Sequence, residues 1–179
     1  MKKLKLPLQN TVIGTVETKF GWVSFAVTSK GLRDCRFMFP SPDCATDEIL
    51  KTIAGKPLSE DKNVISTWSL MFKEYFGGSL KSFDKVPLDS ESWTDFQKRV
   101  YMTVQSIPYG KTASYGTIAS YLGNGNASRA VGNALKNNPV PPVIPCHRVI
   151  AADKDMCGFS ATGGIELKLK ILELEKDNL

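Results

Sequence analysis

Cys146 and His147 stand side by side in "VIPCHRVI", Val143 to Ile150, and His147 is the only histidine in the chain. A cysteine reacts as its thiolate, and at an ordinary pKa of about 8.5 only a few per cent is ionised near neutral pH. A nearby imidazole can draw off the thiol proton. Adjacency alone does not supply that help, because consecutive side chains of an extended strand leave on opposite faces. The two groups could cooperate only across a bent backbone or through an intervening water. Pro145, with Pro141 and Pro142 upstream, argues against a regular central strand. The competing reading is an inert, buried thiol between two apolar runs, and these residues alone leave both open.

Metal chemistry finds little to work with. The cysteines at 35, 44, 146 and 157 form no CxxC pair, and one histidine cannot build a His-rich site. No metal and no cofactor is expected. Spacing leaves a Cys35–Cys44 disulfide open, and likewise oxidation between Cys146 and Cys157. The basic start "MKKLKLPLQNTVIG" lacks the apolar stretch of a signal peptide. No apolar run is long enough to span a membrane, so a cytoplasmic protein is expected, or a nuclear one if the cell is eukaryotic.

The elements that must position these groups fall into two parts. Residues 12 to 39 read as strands. In "WVSFAVT" Val23, Phe25 and Val27 point one way, while Trp22, Ser24, Ala26 and Thr28 point the other. "SKG" reads as a turn, and Cys35, Phe37 and Phe39 alternate after it, which makes Cys35 a core residue. "ATDEILKTIAG" and "DKNVISTWSLMFKEYFGG" have helical spacing. The stretch "KSFDKVPLDSES" is the expected linker, placing a domain at 1–88 and another at 89–179.

The second part is mainly helical. Thr94 and Gln97 match a capping box, and Phe96, Val100, Tyr101, Val104 and Ile107 line one face behind it. Ser114 can cap "YGTIASYL", which "GNGN" closes. A third helix, about Ser128 to Asn137, carries Val131, Ala134 and Leu135 inward and must stop before Pro139. Two short helices about a Gly-rich turn suggest a helix-turn-helix. Its second helix shows small residues, Ala127, Ser128, Ala130 and Gly132, around one long cation, Arg129. That pattern suits tight packing or close entry into a groove. In the last helix Ile165, Leu169 and Leu172 form one apolar row, with Leu167, Ile171 and Leu174 beside it. Glu175, near a helix end that disfavours carboxylates, reads locally as an exposed acid.

Charge adds one more hint. The chain carries +5 overall. From Phe96 to Ala152 there is no acidic residue, against Lys98, Arg99, Lys111, Arg129, Lys136 and Arg148. Such a zone tolerates a phosphate backbone.

"IPCHRV", preceded by "RAVGNALKNNPVPPV" and, further upstream, by "FQKRVYMTVQSIPYGKTASYGTIA", resembles the active-site signature of the O6-alkylguanine-DNA alkyltransferases. The match is strong over Trp93 to Cys146 and continues into the final helix, about half the chain. The resemblance implies a two-domain α/β fold: a small α+β N-terminal domain with ribonuclease H-like strands, and a mainly helical C-terminal domain with a winged-helix-like helix-turn-helix. It implies a single-turnover repair reaction in which Cys146 takes the alkyl group from O6-alkylguanine in duplex DNA, with O4-alkylthymine as a further substrate to be tested. His147 would be the base for Cys146 through a water, with Glu175 behind it. Asn138 would hold the segment around the thiol, and Tyr115 would protonate the leaving guanine. The backbone at Cys146 and Val149, with Tyr115 and Ser160, would read the guanine edge. Arg129 would fill the stack vacated by a flipped base, Tyr115 would help rotate its phosphate, and Ala127, Ser128, Ala130 and Gly132 would let the helix into the minor groove. Phe159 stands where the family often has tyrosine, in a loop about two residues longer than a common form, bordering the alkyl pocket. A monomer is expected. The alternatives are a non-catalytic alkyl-DNA sensor, against which the presence of Cys146 argues, and a sequence-reading regulator, which would need more base-reading side chains than the third helix offers.

Overall fold

The computed structural model describes residues 11–53, 60–152 and 163–179. Strands β1 (Val12–Thr18), β2 (Gly21–Thr28) and β3 (Gly31–Phe39) form an antiparallel sheet in sequence order. The alternation in β2 is present, yet both of its faces are buried from Val23 to Val27. Helices on opposite sides explain this. Ala26 packs on Ile49 and Ile53 of α1 (Pro42–Ile53). Val23, Phe25 and Val27 join the larger core with Trp68 and Phe72 of α2 (Lys62–Gly77). Helix α1 starts earlier than its apolar spacing suggests, because Ser41 accepts from the Cys44 amide at 3.2 Å and Pro42 suits a first helical position. Helix α2 begins where Asp61 accepts from the amides of Asn63 and Val64 and ends at left-handed Gly78.

The expected linker is pinned to β3. Leu32 donates its amide to Pro87 O at 2.9 Å, and Asp89 donates back to Leu32 O at 2.9 Å. Thr28 donates to the buried Asp89 carboxylate at 2.9 Å. Gly31 makes this approach possible: its φ is +122°, and a Cβ there would lie 2.1 Å from Pro87 O. Further along the same edge, Cys35 donates its amide to Pro139 O at 2.8 Å and its thiol to Pro141 O at 2.7 Å. Cys35 is fully buried, as its alternation predicts, and both it and Cys44 are free thiols. The outer edge of β3 therefore carries both the linker and the proline-rich segment that leads to Cys146.

Helix α3 (Asp95–Gln105) opens with the full Thr94–Gln97 capping box and buries Val100, Tyr101 and Val104. Two-residue strand β4 (Ala113–Ser114) precedes α4 (Tyr115–Tyr121), which Ser114 caps through the Thr117 amide at 3.0 Å. A 3-10 turn at Gly125–Ala127 leads into α5 (Ser128–Lys136), which buries Val131, Ala134 and Leu135. Strand β5 (Val149–Ile150) pairs in parallel with β4. One hydrophobic cluster runs from Val23 of the sheet through Tyr101 and Val131 to Ile171.

In the last helix, α6 (Gly164–Asp177), one of the two expected apolar rows is buried and the other is not. Ile165 and Leu169 are 45% and 46% exposed. The buried stripe is Leu167, Lys168, Ile171, Leu174 and Glu175, the spacing of one helical face. Two charged residues sit on it because each finds polar partners inside. Glu175 is 0% exposed, so the exposed-acid reading fails. Among the described residues no helix is long and apolar enough to cross a membrane.

Candidate active site and nucleic-acid face

Cys146–Arg148 form a 3-10 turn, entered from Pro145 at φ −80° and ψ 64°. The backbone is bent here, as the prolines suggested. Cys146 is 9% exposed. Its Sγ accepts an N–H from Asn138 at 3.2 Å. The same Asn138 amide donates to Ile144 O at 2.8 Å, and its oxygen accepts from the Val140 amide at 3.1 Å. One side chain thus ties both ends of the proline segment to the sulfur. Burial pushes the Cys146 thiol up, while the Asn138 hydrogen bond and the Lys168 charge offset only part of that. The resting group is a neutral thiol that needs a base.

His147 is 0% exposed, and its Nε2 lies 2.8 Å from Glu175 Oε1. Burial disfavours the charge on Glu175. Hydrogen bonds from His147 and Arg148, with the charges of both, outweigh burial and hold the carboxyl well below the usual range. An ionised carboxylate only accepts, so His147 Nε2 carries the hydrogen and Nδ1 keeps the basic lone pair. Nδ1 is buried without a hydrogen-bond partner among the described residues. Burial also pushes the imidazole down, against the pull of Glu175, so it rests neutral. The residue after the thiol therefore offers an unprotonated nitrogen, with its tautomer fixed from behind.

Three residues of this site escaped the sequence reading. Arg148 grips Glu175 through Nε at 2.9 Å and Nη2 at 2.8 Å, and donates Nη1 to Ile107 O at 2.7 Å. Lys168, fully buried, donates to Val149 O at 2.7 Å. Tyr75, on α2, donates to Glu175 Oε1 at 2.7 Å. Lys168 and Glu175 lie seven residues apart, two helical turns, and that spacing could have placed both on the buried face of α6. Arg148, inside the otherwise mostly apolar run from Val143 to Ile150, signalled a buried cation in need of a carboxylate. No local pattern marks Tyr75. A cavity of 310 Å³, bordered by Cys35, Phe37, Leu135, Lys136 and Pro141, reaches Cys146. Phe159, Ser160 and Cys157 lie outside the described residues.

Strand β5 links the turn to the α4 and α5 pair through β4. The β4–β5 pairing sets Tyr115, first residue of α4, one strand away from the Cys146 turn. A Cβ on Gly132 would lie 3.7 Å from the Tyr115 ring, so that ring rests on bare α5 backbone. Arg129 and Ala130 are exposed, while Ala127, Ser128 and Gly132 are half-buried. Arg129 makes no ion pair or hydrogen bond among the described residues. The basic zone is smaller than its sequence count, because Arg148 is buried against Glu175. Lys98, Arg99, Lys111, Arg129 and Lys136 remain.

Residues 95–177 match the family model described as 6-O-methylguanine DNA methyltransferase, DNA binding domain. A methylated-DNA–protein-cysteine methyltransferase of Methanosarcina acetivorans is 44% identical over 116 residues, 65% of this chain and 72% of the relative. One from Mycobacterium tuberculosis is 50% identical over 102 residues, 57% of this chain and 59% of the relative. The crystal structure of Mycobacterium tuberculosis OGT in complex with DNA superposes with a TM-score of 0.75 at 35% identity, covering 93% of this chain and 94% of that one. The O6-methylguanine-DNA methyltransferase of Pyrococcus kodakaraensis gives a TM-score of 0.69 at 28% identity, covering 92% of this chain and 98% of that one.

Proposed function

The chain belongs to the O6-methylguanine-DNA methyltransferase family, and from that premise we propose that Cys146 is the acceptor in its repair of DNA by direct alkyl transfer. The observation that carries the assignment is the orientation of His147, whose Nε2 is held by Glu175 while Nδ1 is left basic, on the residue that follows a thiol held by Asn138. The thiol proton passes through a water to His147. Sulfur attacks the alkyl carbon as the bond from that carbon to guanine O6 breaks, and Tyr115 protonates the leaving guanine. The product is a thioether that water does not cleave, so each molecule acts once.

The wider reading follows the same premise. The protein acts as a monomer on duplex DNA carrying alkylated guanine. Residues 1–88 form an N-terminal domain with ribonuclease H-like strands, and 89–179 a DNA-binding, alkyl-transfer domain in which α4 and α5 are the helix-turn-helix. The exposed Arg129 occupies the stack when the damaged base flips out. Tyr115, resting on Gly132, turns its phosphate. The small residues of α5 suit the minor groove, whose sequence readout is degenerate, as damage in any sequence requires. The backbone at Cys146 and Val149 reads the edge of the flipped guanine.

Incubating the protein with one equivalent of an O6-methylguanine duplex should add one methyl to its intact mass, and excess duplex should add no second. Tight binding with an unchanged mass would instead favour a non-catalytic sensor. Flipping costs a few kcal/mol, so Arg129→Ala should slow repair of duplex by about tenfold or more while leaving reaction with free O6-alkylguanine near normal. Equal losses on both substrates would remove Arg129 from the flipping step.

A further inference from the structure

We propose that Tyr75, a residue of the N-terminal half, is a positioning residue for alkyl transfer, its hydroxyl helping to fix the proton on Nε2 of His147. This rests on the reading of His147 as the base. Tyr75 is fully buried on α2. Its ring is wedged against Phe76, Phe83 and Tyr109, with centroids at 5.2, 5.1 and 6.4 Å. The hydroxyl it presents reaches Glu175 Oε1 at 2.7 Å and lies 3.3 Å from His147 Nε2.

The effect follows from how Glu175 is filled. Oε1 accepts from Tyr75, His147 and Arg148, and Oε2 accepts from Arg148 and from the Gly110 amide at 3.0 Å. A carboxylate has about four acceptor sites, so this one is saturated. Saturation disperses its charge and makes it a poor base. When His147 takes the thiol proton on Nδ1, Glu175 then steadies the imidazolium without removing its other proton. Burial and the Glu175 charge push the Tyr75 phenol well up, so it remains a donor throughout. The other charged or titratable groups facing His147 are Glu175 and Lys168 from α6, and Arg148 and Cys146 from its own turn. Tyr109, from the loop after α3, packs on Tyr75 and Arg148. Among them only Tyr75 comes from the sheet-and-helix half.

Removing the hydroxyl concentrates charge on Glu175, and His147 should then hold its second proton more tightly. The chain has a single histidine, so its imidazole C–H signals in a proton NMR titration need no assignment. Tyr75→Phe keeps the ring. Its His147 midpoint should rise by about one pH unit, the worth of one charged hydrogen bond. The acid limb of methyl transfer should move with it, giving about fivefold slower transfer at the wild-type midpoint and no loss at pH 8. Phe83→Leu, on the same aromatic cluster, should lower the melting temperature and leave the midpoint in place. An unchanged midpoint in Tyr75→Phe, or an equal rise in Phe83→Leu, overturns the proposal in favour of simple packing. If wild-type protein transferred no methyl, the functional reading would fall, and the titration would still decide what Tyr75 does to His147.

Discussion

Cys146→Ala should leave a folded protein that binds duplex DNA and takes no methyl from it. The side chain is small and its loss leaves Asn138 bonded to Ile144 O, so the fold should survive. The chemistry should not, because no other described thiol can substitute. Cys35 is fully buried with its hydrogen engaged by Pro141 O, and Cys44 is exposed on α1, on the far side of the sheet from the core that holds Cys146. Loss of a nucleophile costs at least about 10,000-fold where it acts with a base. The check is an intact mass after incubation with an O6-methylguanine duplex, beside a binding measurement on the same duplex. A methyl gained by the variant would move the acceptor to another cysteine. Lost binding with an unfolded spectrum would show that Cys146 is needed for structure.

The second large effect concerns stability. Glu175→Gln replaces a buried acceptor that faces five donor groups with a group that must turn an N–H toward Arg148, Gly110 or His147. Leaving a buried cation without its counter-charge typically costs about 3–5 kcal/mol, and the melting temperature should fall accordingly. The pH dependence gives a sharper signature. Glu175 is held below its unfolded value of about 4.3, so the stability it contributes is fully present above that pH and drains as pH falls toward the folded value. The wild type and the glutamine variant should therefore converge in stability as the solution is acidified from pH 5 downward. His147 adds to the acid loss, since burial depresses it and the unfolded chain takes up its proton first, below about pH 6.5. Asp34 works the other way: burial raises it to about 6, so its protonated form favours the fold as pH drops. Curves that stayed parallel down to pH 3 would mean that the Glu175 charge does not support the fold.

The sequence was informative wherever structure is local. Thr94 with Gln97, and Ser114, mark helix starts within a turn of themselves, and those caps form as their types require. The alternation of β2 was legible, but whether its second face was wet or dry depended on where α1 would pack. The thiol and its histidine were visible as types, and the prolines signalled the bend. Their support was not visible, because it is assembled across distance. Glu175 meets His147 from 28 positions away and Tyr75 from 100. Tyr75 reads as one more aromatic in a Trp, Met and Phe stripe, and nothing local says that its hydroxyl ends at a carboxylate. Apolar count could not choose between the two rows of α6, three residues each; the row of Leu167, Ile171 and Leu174 is buried, and polar partners inside drew Lys168 and Glu175 in with it.

The edge of β3 has a temporal consequence. Its amides and carbonyls are covered by residues 87–89 and 139–141, which a ribosome delivers long after the strand itself. At 5–20 residues per second, the proline segment follows β3 by roughly 5–20 seconds. Throughout that interval the nascent sheet shows a bare, partly apolar margin, the kind of template that other chains pair with. The cell's exposure to misassembly of this protein is therefore set during synthesis, and it closes only when the segment leading to Cys146 leaves the exit tunnel.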